Sequence, residues 1–453
     1  MMTCVRCGAC RGVCPTLNIT GREADGPRGR VAMARSLLTG EISVNQEIKD
    51  QMDRCLLCSA CVDACPMDVQ IPDIVMLAKE RIAAATETVE QPKEKPINNK
   101  ENTIKIDTTQ NDIKKTPAPI RSAKDFLFDK VLADQKNLNR VGNLLWMYQK
   151  SGLQKVTRGL GIMKLFPEQM RQMERILPEV LPPSKRKAHA AYTSRENTNK
   201  ESKGRVAFFQ GCIMDVVFRE TNDNSIKLLS KAGFDVVTPQ DQKCCGALHH
   251  HSGKKDKTIE LAKANIEAFE KADVDYIITN AGGCGAALVD YTDFFRDDPV
   301  WLERAKAFSS KIRDISEIIY EKGELPEASG RGERVTYQPS CHLQYVMKVK
   351  DAPAKLVKAV TNSEYVDLPD KKYCCGSAGI YNMLQPELAN EILDKKMEKV
   401  KQTESAVLIT ANPGCYLQMK LGVYKEGMEN VIDTKHVVDY LVESIERAEN
   451  QTN

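Results

Sequence analysis

Cys4-Val5-Arg6-Cys7-Gly8-Ala9-Cys10-Arg11-Gly12-Val13-Cys14-Pro15 and Cys55-Leu56-Leu57-Cys58-Ser59-Ala60-Cys61-Val62-Asp63-Ala64-Cys65-Pro66 share one spacing, CxxCxxCxxxCP. In such a run, three thiolates two residues apart wrap a short loop round one cube of iron and sulfide, while the fourth points away and ligates a second cube. Two runs therefore make two 4Fe-4S centres. By this crossing rule Cys4, Cys7, Cys10 and Cys65 hold one, and Cys55, Cys58, Cys61 and Cys14 the other. Structural zinc is the competing reading, but zinc prefers two separated pairs in a tetrahedron and has no use for a third closely spaced cysteine.

Between the runs, Asp25-Gly26-Pro27-Arg28-Gly29-Arg30 leads into Val31, Ala32, Met33, Ala34, Leu37 and Leu38. Pro27 suits a first helical turn and Gly40 a stop, so a helical insert in a ferredoxin fold is expected. Arg28 and Arg30 fall near its amino-terminal end. There they either balance negative clusters, pin a partner, or make ordinary structural salt bridges.

At 453 residues the chain is long enough for about three domains of roughly 150 residues. Hydrophobic content of 42%, charged content of 28%, a mean hydropathy of -0.40 and a net charge of +3 describe a mixed-charge globular protein. No strong nucleic-acid footprint is present. No apolar run reaches the roughly 18 residues that a membrane span needs, and the start of the chain lacks the apolar stretch of a secretory signal. A cytoplasmic protein is expected, with peripheral membrane contact at most. In that reducing compartment sixteen cysteines are not staples; they read as metal ligands or redox groups.

The eight cysteines outside the first two runs form two copies of one arrangement. Cys212, Cys244-Cys245-Gly246 and Cys284 are followed by Cys341, Cys374-Cys375-Gly376 and Cys415, displaced by 129, 130 and 131 positions. Such constancy indicates an internal duplication. Arg205–Cys212 and Arg334–Cys341 each read as a short buried strand ending at cysteine. Tyr276–Asn280 before Cys284 matches Val407–Asn412 before Cys415, with helical stretches at Ile259–Ala272 and Pro386–Val400. Each copy is expected to be a small α/β unit whose parallel strands deliver the cysteines to one rim. Glycine after each pair permits a tight turn, so both thiols face a shared crevice. Four thiolates there suit a metal or cluster; a redox disulfide or plain buried thiols are the alternatives.

Thr86–Ser122 has no aromatic residue or cysteine and is rich in Lys, Glu, Asn, Thr and Pro, so it reads as a disordered tether. Leu138, Val141, Leu144, Leu145 and Tyr148 fall on one helical face, followed by Met163, Leu165, Phe166, Met170 and Met173. These residues either pack on their own protein or dock a partner or membrane. Lys185-Arg186-Lys187 is expected to be solvated. His249, His250, His251 and His342 stand beside cysteines, as proton carriers, cluster ligands or helix-capping polar groups. No phosphate-binding glycine fingerprint appears, so FAD or NAD must come from another chain.

These residues resemble the iron-sulfur subunit family of bacterial glycolate oxidase, in which a two-cluster ferredoxin precedes two cysteine-rich "CCG" domains. The resemblance rests on CVRCGACRGVCPT at Cys4–Thr16, DGPRGR at Asp25–Arg30, DRCLLCSACVDACP at Asp53–Pro66, CCGALHHH at Cys244–His251 and CCGSAGIYN at Cys374–Asn382. Heterodisulfide reductases, anaerobic glycerol-3-phosphate dehydrogenases and lactate-utilisation proteins have similar parts. His251 is the best match to the family pattern among the histidines. In heterodisulfide reductases the cysteine-rich motif ends in CxxC and supplies five thiolates. Here it is shortened to Cys284-Gly285-Ala286-Ala287 and Cys415-Tyr416-Leu417-Gln418. That leaves a four-thiolate cluster in each copy, in a single copy, or in none.

The expected fold class is α+β and α/β multidomain, a helical two-cluster ferredoxin followed by two duplicated Rossmann-like cysteine-rich domains. The expected boundaries are 1–85 for the ferredoxin, 86–122 for the tether, 123–183 for a helical connecting region and 184–204 for a linker. The first cysteine-rich domain follows at 205–320, a linker at 321–333 and the second at 334–449. A cube normally takes one electron at a time, whereas oxidising a 2-hydroxy acid releases two and needs a hydride acceptor such as flavin. The chain is thus expected to be the wire between an FAD-binding 2-hydroxy-acid dehydrogenase subunit and a quinone or other acceptor, with glycolate as the resemblance's substrate. D-lactate or glycerol 3-phosphate as substrate, disulfide or quinone reduction by the cysteine-rich half itself, and an iron-sulfur sensor are the rivals.

Overall fold

The computed structural model describes residues 3–88, 131 and 134–452. The tether expected at Thr86–Ser122 lies outside the described residues from 89 onward. The chain forms two compact units, one within the first 88 residues and the other comprising the bulk of 134–452.

The first unit is helical. Pro27–Leu38 begins with proline in its first turn and stops before Gly40, whose φ of 76° lies in the left-handed region. Its buried Val31, Ala34 and Leu37 recur at helical spacing and pack with Ile48 and Met52 of the Gln46–Asp53 helix and Ile74, Val75, Ala78 and Ile82 of the Ile71–Thr88 helix. The expected helical insert is therefore the centre of this unit's core.

The second unit contains two sheets. The first has β1 (Tyr192–Thr193), β2 (Arg205–Phe209), β3 (Asp235–Val237), β4 (Tyr276–Thr279) and β5 (Ile312–Asp314) in the order β1-β3-β2-β4-β5. The other has β6 (Arg334–Gln338), β7 (Glu364–Tyr365), β8 (Val407–Thr410) and β9 (Asp433–His436) in the order β7-β6-β8-β9. Apart from β1, which pairs antiparallel, every strand pair is parallel. With β1 set aside, the two orders are the same, which is the duplication expected from the cysteine spacing. Strands covered by helices on both faces read as unbroken apolar runs, and Val206-Ala207-Phe208-Phe209 in β2 is buried throughout.

The copies share a core. Val206, Phe208, Leu228, Phe234 and Ile318 of the first join Val335, Val357, Val438 and Leu441 of the second in one buried cluster. The stretches read as linkers belong to this fold. Tyr192-Thr193 adds an edge strand, His189 is buried with Nε2 3.1 Å from Asp215, and Ser329 donates its amide to the Ser444 carbonyl at 2.9 Å. In Lys185-Arg186-Lys187, read as solvated, Arg186 is half-buried and donates Nε to the Leu181 carbonyl at 2.8 Å. Leu138 of the Gln135–Lys150 helix is buried, yet Val141, Leu144, Met147, Leu160, Leu165 and Phe166 are exposed, so this region's apolar residues are only partly covered.

Candidate functional site

The two cysteine runs, displaced by 51 positions, bend alike. Arg6 and Leu57 have φ of 57° and 52°, and Gly8 and Ser59 have 87° and 61°. Left-handed residues two apart coil each loop so that its thiols face inward; for a bulky residue such as Leu57 that conformation costs roughly 1–2 kcal/mol. Inside the coils lie two small open cavities. One is lined by Cys4, Cys7, Cys10 and Cys65, the other by Cys55, Cys58, Cys61 and Cys14. Each run thus sends its fourth cysteine to the other run's cavity.

Arg28 lines the first cavity and Arg30 the second. Arg28 pairs with Glu23 and donates to the Arg6 carbonyl at 3.3 Å. Arg30 is fully buried, donating Nε to the Gln51 carbonyl at 3.1 Å and Nη2 to Thr16 Oγ1 at 3.2 Å, with Cys14 Sγ 3.3 Å from the same hydroxyl. Burial first, then the neighbouring thiols, raises the Cys61 thiol far above its usual range, and burial raises Cys10. Such thiols stay protonated until a metal centre supplies positive charge.

In the second unit each cysteine pair follows one pattern. Gly246 and Gly376 take φ of 83° and 90°, and their amides turn back to Cys244 Sγ at 3.5 Å and Cys374 Sγ at 3.4 Å. The parallel strands bring Cys212 and Cys284 to the rim beside this turn in one copy, and Cys341 and Cys415 in the other. Cys212 and Cys244 have sulfurs 3.5 Å apart. Cys341, Cys374, Cys375 and Cys415 line one small cavity. Neighbouring thiols together with burial push Cys212, Cys245, Cys341 and Cys375 well up. Among the described residues, which include all sixteen cysteines, no disulfide forms.

The rims meet between the copies. Asn412 accepts from the Gly283 amide at 2.9 Å, directly before Cys284, while its Nδ2 lies 3.6 Å from Cys415 Sγ. The Gly282–Val289 helix must approach the other copy closely, since a Cβ on Gly282 would stand 2.9 Å from Ser340 Oγ. The four singled-out histidines are absent from the lining of all three cavities. His249 is buried, and His250 meets Phe294 edge-on at 5.0 Å, its pKa lowered chiefly by burial.

The donor sets suit iron-sulfur clusters. Both cavities of the first unit combine four cysteines with largely apolar walls and arginine, Arg6 and Arg28 at one and Arg30 at the other, and neither lining holds a carboxylate or imidazole.

Comparison with known proteins agrees with this geometry. Residues 1–69 match the 4Fe-4S dicluster domain, residues 206–289 and 335–420 the cysteine-rich domain, and residues 119–177 the family described as glycolate oxidase iron-sulfur subunit, linker region. A probable glycolate oxidase iron-sulfur subunit of Bacillus subtilis is 39% identical over 98% of this chain and 94% of its own length. The chain belongs to the glycolate oxidase iron-sulfur subunit family. The family's Escherichia coli glycolate oxidase iron-sulfur subunit is 27% identical over 92% of this chain and 88% of its own. Lactate utilization protein A of an Exiguobacterium strain is 31% identical, covering 54% of this chain and 99% of that relative. The resemblance read from the cysteine runs is borne out, as are the fold class and the iron-sulfur cofactors.

Sequence reasoning missed Lys396, Asn412 and His436. For Lys396 a signal existed: Ala389, Ile392, Leu393, Lys396, Met397 and Val400 form the buried stripe of the Pro386–Lys401 helix, and a lysine inside such a stripe is rarely passive.

Proposed function

We propose that this chain is the electron-transfer subunit of a glycolate-oxidising complex. It accepts electrons from a separate FAD-binding subunit that converts glycolate to glyoxylate, and delivers them to a quinone or other acceptor. The carrying observation is the pair of neighbouring cavities, each ringed by four cysteines drawn crosswise from both runs. Cys4, Cys7, Cys10 and Cys65 would hold one 4Fe-4S cluster, and Cys14, Cys55, Cys58 and Cys61 the other. When bound, such clusters supply one-electron acceptance at potentials tuned by surrounding charge and hydrogen bonds. Arg6 and Arg28 place positive charge at the first cavity and Arg30 at the second, beside largely apolar walls.

Any membrane contact in this reading is peripheral: among the described residues, no helix is long and apolar enough to cross a bilayer. The test is Cys58→Ala in the assembled complex. Turnover with the physiological acceptor is expected to disappear, while the flavin subunit still reduces dye. Physiological turnover that survives the substitution contradicts the wire.

A further inference from the structure

The two cysteine runs of the first unit coil alike and are buried unlike. Val5 is 63% exposed, whereas Leu56 at the corresponding place in the second run is 4% exposed. Arg6 and Ala9 are likewise exposed, and their counterparts Leu57 and Ala60 are buried. Among the sixteen cysteines Cys7 alone is exposed; its counterpart Cys58 is half-buried. The ligand spacing is the same in both runs, so the difference comes from packing. Leu57 joins the core that Val31, Met52 and Val75 build, while Val5 stands in solvent.

Val5, Arg6, Cys7 and Met67 line one cavity. Met67, two residues past the crossing Cys65, is 46% exposed, so two large apolar side chains and one sulfur meet solvent at a single opening. Among the described residues of the first unit, Leu77 is the only other exposed large apolar side chain. The charges at this edge are uneven. Glu23 pairs with both Arg11 and Arg28, and Asp68 follows Met67, but Arg6 makes no ion pair among the described residues. An unpaired guanidinium beside desolvatable apolar groups fits a protein surface that offers a carboxylate next to an apolar contact. A lipophilic quinone finds less here than in the second unit, where Leu144, Leu160, Leu165 and Phe166 are all exposed.

We infer that the centre on Cys4, Cys7, Cys10 and Cys65 is the port through which electrons enter this chain, and that the FAD-binding subunit docks on Val5, Arg6 and Met67. The centre on Cys14, Cys55, Cys58 and Cys61 relays from it. This rests on the wire reading and names the contact that feeds the wire. Electron exchange between two proteins falls steeply with the separation of their centres, so a partner gains most by covering the ligand nearest solvent, Cys7. The two electrons of one glycolate cross singly, each reducing a centre by one, and the two protons of the reduced flavin pass to water as it returns to its oxidised form.

The test compares the full-length wild type, V5E, R6E and L144E by two measurements made without oxygen. Calorimetry gives the affinity for the isolated FAD-binding subunit, and stopped-flow absorbance gives the rate at which that subunit, reduced by glycolate, bleaches the iron-sulfur chromophore. V5E and R6E are each expected to weaken binding about tenfold and to slow bleaching at limiting concentration in proportion. L144E, on the exposed face of the second unit, should match wild type in both. Dithionite should bleach all four proteins alike, and a water-soluble quinone should reoxidise them alike, since neither needs the docked partner. Wild-type affinity in V5E and R6E, or loss of affinity in L144E instead, overturns the port and leaves the wire standing. Normal bleaching by the flavin subunit with slowed quinone reoxidation in V5E and R6E overturns it too, by making the opening an exit. Wild-type protein that the reduced flavin subunit never bleaches overturns the wire as well.

Discussion

His436, at the end of β9, donates its Nε2 proton to the carbonyl oxygen of Asn280, just past β4, at 2.9 Å, while its Nδ1 accepts from the Val438 amide at 3.3 Å. Both ring nitrogens are satisfied only when the imidazole is neutral. The bond ties the last strand of one copy to the cysteine rim of the other, so the docking of the two copies depends on an uncharged histidine.

Burial lowers the His436 pKa to about 4. Its ordinary value in an unfolded chain is about 6.5, so the unfolded state gains the proton first and the folded state is disfavoured as pH falls from about 6.5 towards 4. Between pH 7.5 and 5.5 this residue alone should remove about 1.3 kcal/mol of stability. Denaturant unfolding of H436Q against wild type checks it: the variant should lose less stability over that interval. Parallel pH profiles would show that the histidine titrates normally in the fold.

The turn after the second cysteine pair is predicted to admit only glycine. Gly376 has a φ of 90°, and a Cβ there would sit 2.7 Å from the Ala389 carbonyl oxygen. G376A should therefore destabilise the protein by about 2 kcal/mol or more, combining left-handed strain with a backbone clash. Gly427 also has positive φ, 67°, but nothing within 4 Å of its Cβ position, so G427A should cost only about 1 kcal/mol. Unfolding midpoints of the two variants separate strain from crowding.

Arg28 lines one ferredoxin cavity and Arg30 the other, so removing either should act on one centre. Reduction adds negative charge, which a nearby cation favours. R28M should lower the reduction potential of the centre assigned to Cys4, Cys7, Cys10 and Cys65, and R30M that of the centre assigned to Cys14, Cys55, Cys58 and Cys61. Redox titration followed by electron paramagnetic resonance measures both. Shifts confined to the same centre in both variants would break the pairing of arginines with cavities.

Much of this was legible in the residues because cysteine spacing is both a chemical and a topological constraint. The CxxCxxCxxxCP runs announced the crossed cavities, and the constant displacement between Cys212, Cys244, Cys284 and their counterparts announced two sheets of the same strand order. Pro27 and Gly40 marked the insert helix to within a residue or two. The edge strand at Tyr192-Thr193 was hidden, because two residues in a polar stretch form a strand only when β3 offers an open edge. The roles of His436 and Asn412 were hidden for a related reason: their partners, Asn280 and Gly283, lie more than a hundred residues away and meet them only once the copies dock. The inequality of the two cysteine loops was hidden as well: Val5 and Leu56 hold the same place in one motif, and packing alone separates them.

The wire itself is tested most directly by mixing the assembled complex with glycolate in the absence of oxygen and following flavin and iron-sulfur absorption together. Flavin reduction followed by bleaching of the cluster absorbance, with the paramagnetic signals of reduced 4Fe-4S centres appearing in frozen samples, is the expected result. Flavin that becomes reduced while the clusters on this chain stay oxidised, with turnover to the acceptor unimpaired, would contradict it.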